Sequence, residues 1–161
     1  MRKNTDQRKK TLVEKNADLS AFIGTLRGTS SIAVTTHVSP DGDAVGSMLA
    51  ARRLLHGLGV QTVFCVLDNP SAHAYTWLPG ASEIVAPEEV RTWPGTVLLL
   101  DASRKSRLGR VENHLPENMR LLVLDHHVEE EPDGDMLLVD PTYAATGEII
   151  AELFERSGIP I

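Results

Sequence analysis

Three apolar segments that each end in acidic or imidazole side chains constrain the fold of this chain most strongly. The segments are SIAVTTHVSPDGD (31–43), TVLLLD (96–101) and MRLLVLDHH (119–127). Runs that are largely apolar, without alternation, are typical of strands buried on both faces of a parallel sheet. In such sheets, ligands bind in the crevice outside the carboxyl ends of the strands. If these strands are neighbours, their polar ends converge on one site.

The segments around these strands predict a layered α/β domain. Helical periodicity is present in residues 9–27, 43–58 and 146–157, and further short strands are predicted within 60–67, 83–90 and 136–140. Residues 69–80 are expected to be irregular, with Tyr75 and Trp77 packed under a loop. Strands that alternate with helices indicate a three-layer α/β fold with a mostly parallel sheet.

The composition limits the class of protein further. With 161 residues, 42% of them hydrophobic, the chain is expected to form one domain with a packed core. A net charge of −6 argues against a broad basic surface for long duplex nucleic acid. A small phosphorylated substrate stays compatible, because metal ions supply positive charge locally. The only cysteine, Cys65, excludes a multi-thiolate metal site and reads as a buried apolar residue.

The sequence also carries no pattern typical of membrane insertion or secretion. No apolar run is long enough to span a bilayer, and the charged N-terminal residues are not followed by the apolar stretch of a secretory signal. The expected location is therefore the cytoplasm, without membrane contact. Residues 1–19 are expected to form a leading helix or a flexible lead-in.

The turn after the first strand carries more acid than a chain reversal requires. Pro40 fixes φ and Gly42 permits unusual backbone angles, so both suit a sharp entry into the next helix. Asp43 is equally consistent with a helix cap and with a metal ligand. Turn geometry and helix capping do not explain why His37 and Asp41 are present in this loop. Oxygen and imidazole ligands from a short loop suit divalent ions such as Mn²⁺, Mg²⁺ or Zn²⁺.

The other two strand ends add further candidate ligands. Asp101, taken alone, is better explained as a cap or a turn residue. The run Asp125-His126-His127 is harder to explain in that way, and the chain must bend there for more than one of them to serve a single site. A surplus of carboxylates favours two metal ions that share a bridging carboxylate, and Asp101 is the natural candidate for the bridge.

These motifs together resemble the DHH phosphoesterase superfamily. The matching stretches are HVSPDGDAVGS (37–47), LLLDASRKSRLG (98–109) and VLDHH (123–127). The stretch PTYAATGEIIAELFE (141–155) is similar to the segment after the DHH motif in the subgroup of small oligoribonucleases and 3′-phosphoadenosine-5′-phosphate phosphatases. The resemblance extends from about residue 20 to the end of the sequence.

The resemblance implies a Mn²⁺-dependent phosphohydrolase with a Rossmann-like catalytic domain and two metal ions, with Mg²⁺ or another divalent ion as an alternative. The implied ligands are divided between the ions, with one of them shared. They are His37 and Asp41 for one ion, Asp43 and His126 for the other, and Asp101 for both.

The same resemblance implies roles for the remaining polar residues. Asp125 is expected to orient a ligand or a water molecule. His127 is expected to contact the substrate phosphate and to stabilise the transition state. Arg107 either meets the substrate or is a solvated loop residue. Water is expected to attack phosphorus without a covalent enzyme intermediate.

Members of this subgroup continue into a further metal-binding aspartate in a DTG-like context and a smaller C-terminal substrate-binding domain. This sequence ends at Ile161, before either of them. Residues 1–161 are therefore expected to be the N-terminal DHH catalytic domain alone. Asp140, near this point, is expected to be a loop or turn residue and not a replacement ligand.

The expected substrates are short oligoribonucleotides, the 3′-phosphate of adenosine bisphosphate, or both. Two alternatives remain: a cyclic dinucleotide phosphodiesterase on the same scaffold, and a metal-binding domain with little activity that acts through partners. An inorganic pyrophosphatase fits less well, because TGEIIAELFE (146–155) resembles the nuclease subgroup. The sequence is also compatible with a homodimer.

Overall fold

The computed structural model describes residues 17–72, 74–129 and 131–161, in which helices alternate with strands of one sheet. The α-helices are α1 (Leu19–Arg27), α2 (Gly42–Gly57) and α3 (Thr146–Ser157). The strands are β1 (Ser31–Thr35), β2 (Thr62–Val66), β3 (Ile84–Val85), β4 (Thr96–Leu100), β5 (Arg120–Asp125) and β6 (Met136–Val139). Short 3-10 helices lie at Ala81–Glu83, Pro87–Glu89, Lys105–Arg107 and Gly109–His114.

All the strands pair in parallel, in the order β3-β2-β1-β4-β5-β6. The order reverses between β1 and β4, where Thr35 lies opposite Leu99. On the other side of β4, Leu100 lies opposite Leu124 of β5. A crevice at such a reversal point is where open α/β sheets bind ligands. The three segments singled out in the sequence therefore end side by side at this crevice.

Residues of each strand alternate between two apolar layers, one on each face of the sheet. In β4, Leu98 and Leu100 belong to the layer that contacts the α-helices, whereas Val97 and Leu99 belong to the opposite layer. Both faces are therefore buried. Burial on both faces explains why the strands read as apolar runs without a polar alternation.

The two covering layers differ in kind. The layer that includes Phe22, Met48 and Leu153 is formed by α1, α2 and α3. The opposite layer includes Leu108 and Val111, which belong to the segment of 3-10 helices after β4. The predicted α/β fold with a parallel sheet is confirmed, and short 3-10 helices supply the covering on the second face.

The starts of two helices differ from the expected ones. Helix α1 begins at Leu19, where the Asp18 side chain caps it, and the earlier part of the predicted helix, residues 9–16, lies outside the described residues. Helix α2 begins at Gly42, and its cap is Asp41, whose carboxylate accepts the amide of Ala44. Of the two alternatives left open for Asp43, the cap of α2 is wrong, because Asp41 already occupies the capping position.

Two expectations about apolar residues can be compared with the structure. Trp77 is 74% exposed, so the prediction that it packs under a loop is wrong, although Tyr75 does pack against the core. Cys65 is buried in β2, as expected. Within the described ranges, no helix combines the length and apolarity that a bilayer span needs.

Candidate metal centre

The loop between β1 and α2 directs His37 towards the sheet edge. The His37 Nδ1 atom lies 2.8 Å from the carbonyl oxygen of Val38, so the ring is fixed locally and its Nε2 faces Asp101 at 3.5 Å from Oδ2. The amide of Val38 donates to the carbonyl of Arg107 at 2.8 Å, which ties this loop to the segment after β4. The Asp101 carboxylate raises the pKa of His37 above its ordinary value, against the opposing effect of burial.

Asp101 lies between the two halves of the site. It is 3% exposed, and its φ of 55° is in the left-handed region that non-glycine residues rarely adopt. Its two carboxylate oxygens face different imidazoles. Oδ2 faces His37, whereas Oδ1 lies 3.6 Å from His126 Nε2 and 3.7 Å from His127 Nδ1. A strained backbone at this position is consistent with a functional constraint.

Asp43, on the first turn of α2, points towards the start of α3. Its Oδ2 accepts the amide of Thr146 and its Oδ1 accepts the amide of Gly147, both at 2.8 Å. The hydroxyl of Ser47 also donates to Oδ1 at 3.1 Å. The same Oδ2 lies 3.7 Å from His126 Nε2. Asp43 is therefore fixed from two helices while it faces His126.

Asp125 and His127 form a hydrogen-bonded pair at the end of β5. Asp125 is 1% exposed, and its Oδ1 lies 2.7 Å from His127 Nδ1. Ser103 donates to the other oxygen at 2.5 Å. Burial tends to raise the pKa of Asp125, but the hydrogen bonds from Ser103 and His127 outweigh it and leave the pKa below its ordinary value. The ionised carboxylate thus orients the His127 ring with Nε2 turned away from Asp125.

Two groups of potential ligands meet at Asp101. His37, Asp41 and Asp101 place one donor atom each within 4.8 Å of one another, and Asp101, His126 and His127 do the same. Two ligands about 2.1 Å from a common ion lie about 3.0–3.4 Å apart at tetrahedral to octahedral angles. The closest imidazole-to-carboxylate distances, 3.5–3.7 Å, exceed this range by only a few tenths of an ångström. These donors are of the types that divalent ions bind, and the three pairs lie within a few tenths of an ångström of the required spacing.

Two placements, those of Asp43 and His127, differ in detail from the roles implied by resemblance. Among the described residues, Asp43 falls outside both groups. Its contact with the centre is the 3.7 Å approach of its Oδ2 to His126 Nε2. His127 is near Asp101, but its Nδ1 is already paired with Asp125. Asp41 belongs to the group with His37 and Asp101, and its Oδ1 also accepts the Ala44 amide at the start of α2.

Two residues considered in the sequence lie at the margins of the site. Arg107 is exposed, and its backbone carbonyl, not its side chain, holds the loop of His37. Asp140 accepts hydrogen bonds from the amide and hydroxyl of Thr142, which is the pattern of a turn residue. The interpretation of Asp140 as a turn residue agrees with this geometry.

Three residues without a role predicted from the sequence support the charged groups. They are Ser47, Ser103 and Thr146, each of which donates a side-chain hydrogen bond to one of the carboxylates. The presence of hydroxyl side chains close in sequence to the motif aspartates was the only feature that could have indicated such a supporting role. Their partners are distant in sequence for Ser103 and Thr146, so spacing could not identify them.

Comparisons with known proteins identify the family of this chain. The model of the DHH family, N-terminal domain, matches residues 31–160. The bifunctional oligoribonuclease and PAP phosphatase NrnA of Thermus thermophilus is 34% identical over 128 residues, which are 80% of this chain and 37% of that protein. The Bacillus subtilis protein of the same name is 28% identical over 136 residues, 83% of this chain and 41% of its own length.

A solved structure supports the fold in the same way. The crystal structure of an exopolyphosphatase-related protein from Bacteroides fragilis superposes with a TM-score of 0.75 at 23% identity, over 88% of this chain and 44% of that one. The chain thus spans less than half the length of these similar proteins. With a family model that covers most of its length, this chain belongs to the DHH family through the N-terminal domain.

Proposed function

We propose that this chain carries the centre of a metal-dependent phosphohydrolase that acts on short oligoribonucleotides, on the 3′-phosphate of adenosine bisphosphate, or on both. The observation that carries the proposal is the position of Asp101, whose two oxygens face two separate groups of imidazole and carboxylate donors. The relatives named oligoribonuclease and PAP phosphatase support the choice of substrate.

The proposed cofactor is a pair of Mn²⁺ ions. Mixed carboxylate and imidazole donors suit Mn²⁺ and similar divalent ions, and no thiolate competes, since Cys65 lies buried in β2. The proposed ligands are His37 and Asp41 on one side, Asp43 and His126 on the other, and Asp101 between them. Such a pair of ions activates water and neutralises charge on the phosphoryl group.

The Asp125–His127 pair is proposed to act on the substrate directly. Asp125 holds His127 through an Nδ1–H donor and leaves Nε2 directed away from the carboxylate. In the doubly protonated ring, Nε2–H can donate to a phosphate oxygen of the substrate. The His127 side chain is 57% exposed, so a substrate can reach it. Arg107 is exposed on the segment that follows β4, and we propose it as a second, longer-range contact for the substrate.

The substrate is expected to be small. The chain carries a net charge of −6, and long nucleic acids need an extended array of basic side chains to replace their counterions. A mononucleotide or a short oligonucleotide needs charge neutralisation at one or two phosphates only, which the ions supply.

A substrate panel tests this function. The metal-loaded protein would be assayed with Mn²⁺, Mg²⁺ or EDTA on adenosine 3′,5′-bisphosphate, a diribonucleotide and a cyclic dinucleotide. We expect Mn²⁺-dependent hydrolysis of the first, the second, or both. Turnover of the cyclic substrate alone would favour a cyclic dinucleotide phosphodiesterase. A folded, Mn²⁺-loaded protein without any turnover would contradict the proposal for this chain.

A further inference from the structure

We propose that Thr146 is a positioning residue for the shared carboxylate, and that the start of α3 fixes the ligands of the metal centre. The inference rests on the proposed function, since it concerns the same site. Thr146 is 0% exposed and lies 45 residues from Asp101 along the chain, yet its hydroxyl donates to Asp101 Oδ1 at 2.9 Å. That oxygen is the one that faces His126.

The orientation of Asp101 requires such support. Its backbone is in the left-handed region, and its side chain must present one oxygen to each half of the site. A carboxylate free to rotate about its terminal bond would present these oxygens only part of the time. A buried hydroxyl donor selects one orientation, and hydrogen bonds to charged groups are stronger than those between neutral groups.

The first amides of α3 fix a second ligand at the same place. Ala145, which precedes the helix, supplies no side-chain cap. Asp43 takes over this function from α2, because its two oxygens accept the amides of Thr146 and Gly147. The positive end of the helix dipole favours a carboxylate at this position. One turn of helix therefore orients both the shared ligand and a ligand of the second ion.

A purely structural role makes a different prediction from a positioning role. If the contacts of Thr146 only attach α3 to the sheet, removing the hydroxyl lowers the unfolding temperature and leaves metal affinity unchanged. If they position Asp101, metal affinity falls as well. Residues that orient metal ligands typically change metal affinity by about 10- to 100-fold when they are replaced.

The first experiment compares Thr146→Val with Thr146→Ser by Mn²⁺ titration, with free Mn²⁺ followed by electron paramagnetic resonance. Valine keeps the shape but removes the donor, whereas serine retains it. We expect the wild-type protein to bind two ions. Thr146→Val should weaken at least one of them by about 10-fold or more, and Thr146→Ser should stay close to the wild type.

A second variant acts on Asp43 without touching the Thr146 hydroxyl. A Cβ at Gly147 would lie 3.3 Å from Asp43 Oδ1, so in Gly147→Ala the carboxylate must give way by a few tenths of an ångström. Alanine also favours the helix, so the unfolding temperature in EDTA should not fall. The matched control is Gly24→Ala in α1, where a Cβ meets nothing within 4 Å. We expect weaker Mn²⁺ binding in Gly147→Ala and unchanged binding in Gly24→Ala.

The outcomes separate this inference from the proposed function. A wild-type protein that binds no Mn²⁺ overturns both. A wild-type protein that binds two ions, together with a folded Thr146→Val variant of equal affinity, overturns the inference alone. Should Thr146→Val not fold, Thr146→Ala takes its place, and wild-type affinity in that folded variant overturns the role of the Thr146 hydroxyl. Wild-type affinity in Gly147→Ala overturns the part of the inference that concerns Asp43 and the start of α3.

Discussion

Asp101 concentrates, in one residue, the properties expected of a shared metal ligand. It is buried, it has a strained backbone, and its oxygens face His37 on one side and His126 on the other. A buried carboxylate without compensation is costly, and here imidazoles and the Thr146 hydroxyl surround it. The position is therefore the most sensitive one for testing the proposed centre.

Replacing Asp101 with asparagine should remove the function while preserving the fold. The amide oxygen can still accept the Thr146 hydroxyl, but the charge and one ligand oxygen are lost. We expect the loss of Mn²⁺-dependent hydrolysis to exceed the about 10- to 100-fold effect of residues that only orient ligands. Assays would measure phosphate release from adenosine bisphosphate together with Mn²⁺ stoichiometry.

Asp140→Asn is the matched control for that substitution. Asp140 accepts hydrogen bonds in a turn, which an asparagine oxygen can also do. Its hydrolysis rate and Mn²⁺ stoichiometry should equal those of the wild type. Wild-type activity in Asp101→Asn, or a lost ion in Asp140→Asn, would contradict the assignment of the bridge.

The Cys65 thiol should be inert in the folded protein. Burial in β2 raises its pKa to about 12, so only about one molecule in 10⁴ carries the thiolate at pH 8. Reaction with Ellman's reagent at pH 8 should be slow for the native chain and rapid in denaturant, where the thiol pKa returns to about 8.5. Rapid reaction under native conditions would show that β2 is more accessible than its burial implies.

At the scale of elements, the strands determine where the proposed ligands lie and the helix starts determine how they point. β1, β4 and β5 are neighbours in the sheet, so their ends bring His37, Asp101 and Asp125 to one edge. The starts of α2 and α3 then orient Asp41 and Asp43 through backbone amides. Each ligand thus depends on a rigid element, which suits a site that must hold its geometry.

The central strand should tolerate loss of volume poorly. Val97 in β4 is 0% exposed, whereas Val128 is 85% exposed, so the same Val→Ala change can be compared at two extremes. We expect Val97→Ala to lower the free energy of unfolding by about 2 kcal/mol. Val128→Ala should change it by less than about 0.5 kcal/mol. Urea unfolding measures both, and equal effects would contradict the described core.

At the scale of the whole molecule, several carboxylates gather at one edge of an acidic protein. Asp41, Asp43, Asp101 and Asp125 all belong to this edge, and the chain has a net charge of −6. Like charges at short range oppose one another and lower the stability of the metal-free protein. Bound divalent ions relieve this repulsion, so folding and metal binding are expected to be coupled.

Addition of Mn²⁺ should therefore raise the unfolding temperature. An ion present at about 100 times its dissociation constant stabilises the native state by about 2.7 kcal/mol. For a chain of this length that corresponds to about 5–10 °C in a thermal melt. EDTA should reverse the shift, and Asp101→Asn should reduce it. An equal shift in Asp101→Asn would place the ions elsewhere.

Much of the fold follows from local patterns in the sequence. The apolar runs predicted β4 at residues 96–100 and the periodicity predicted α3 at 146–157, and both bounds agree with the structure. These elements were predictable because a buried strand or a buried helix face requires apolar residues at a regular spacing in the sequence. The cap of α2 and the exposure of Trp77 were not predictable, since they depend on which neighbour occupies the adjacent space.

The candidate site divides in the same way between the sequence and the tertiary structure. By itself the sequence determined the α/β class, the approximate positions of the strands and the identity of the acidic and imidazole residues, because these depend on local period and residue type. Only the tertiary structure decided that Asp101 faces two groups, that Asp43 caps α3, and that Thr146 holds Asp101. Those contacts join residues 25 to 103 positions apart, and only the strand order and the packing of α2 against α3 bring them together.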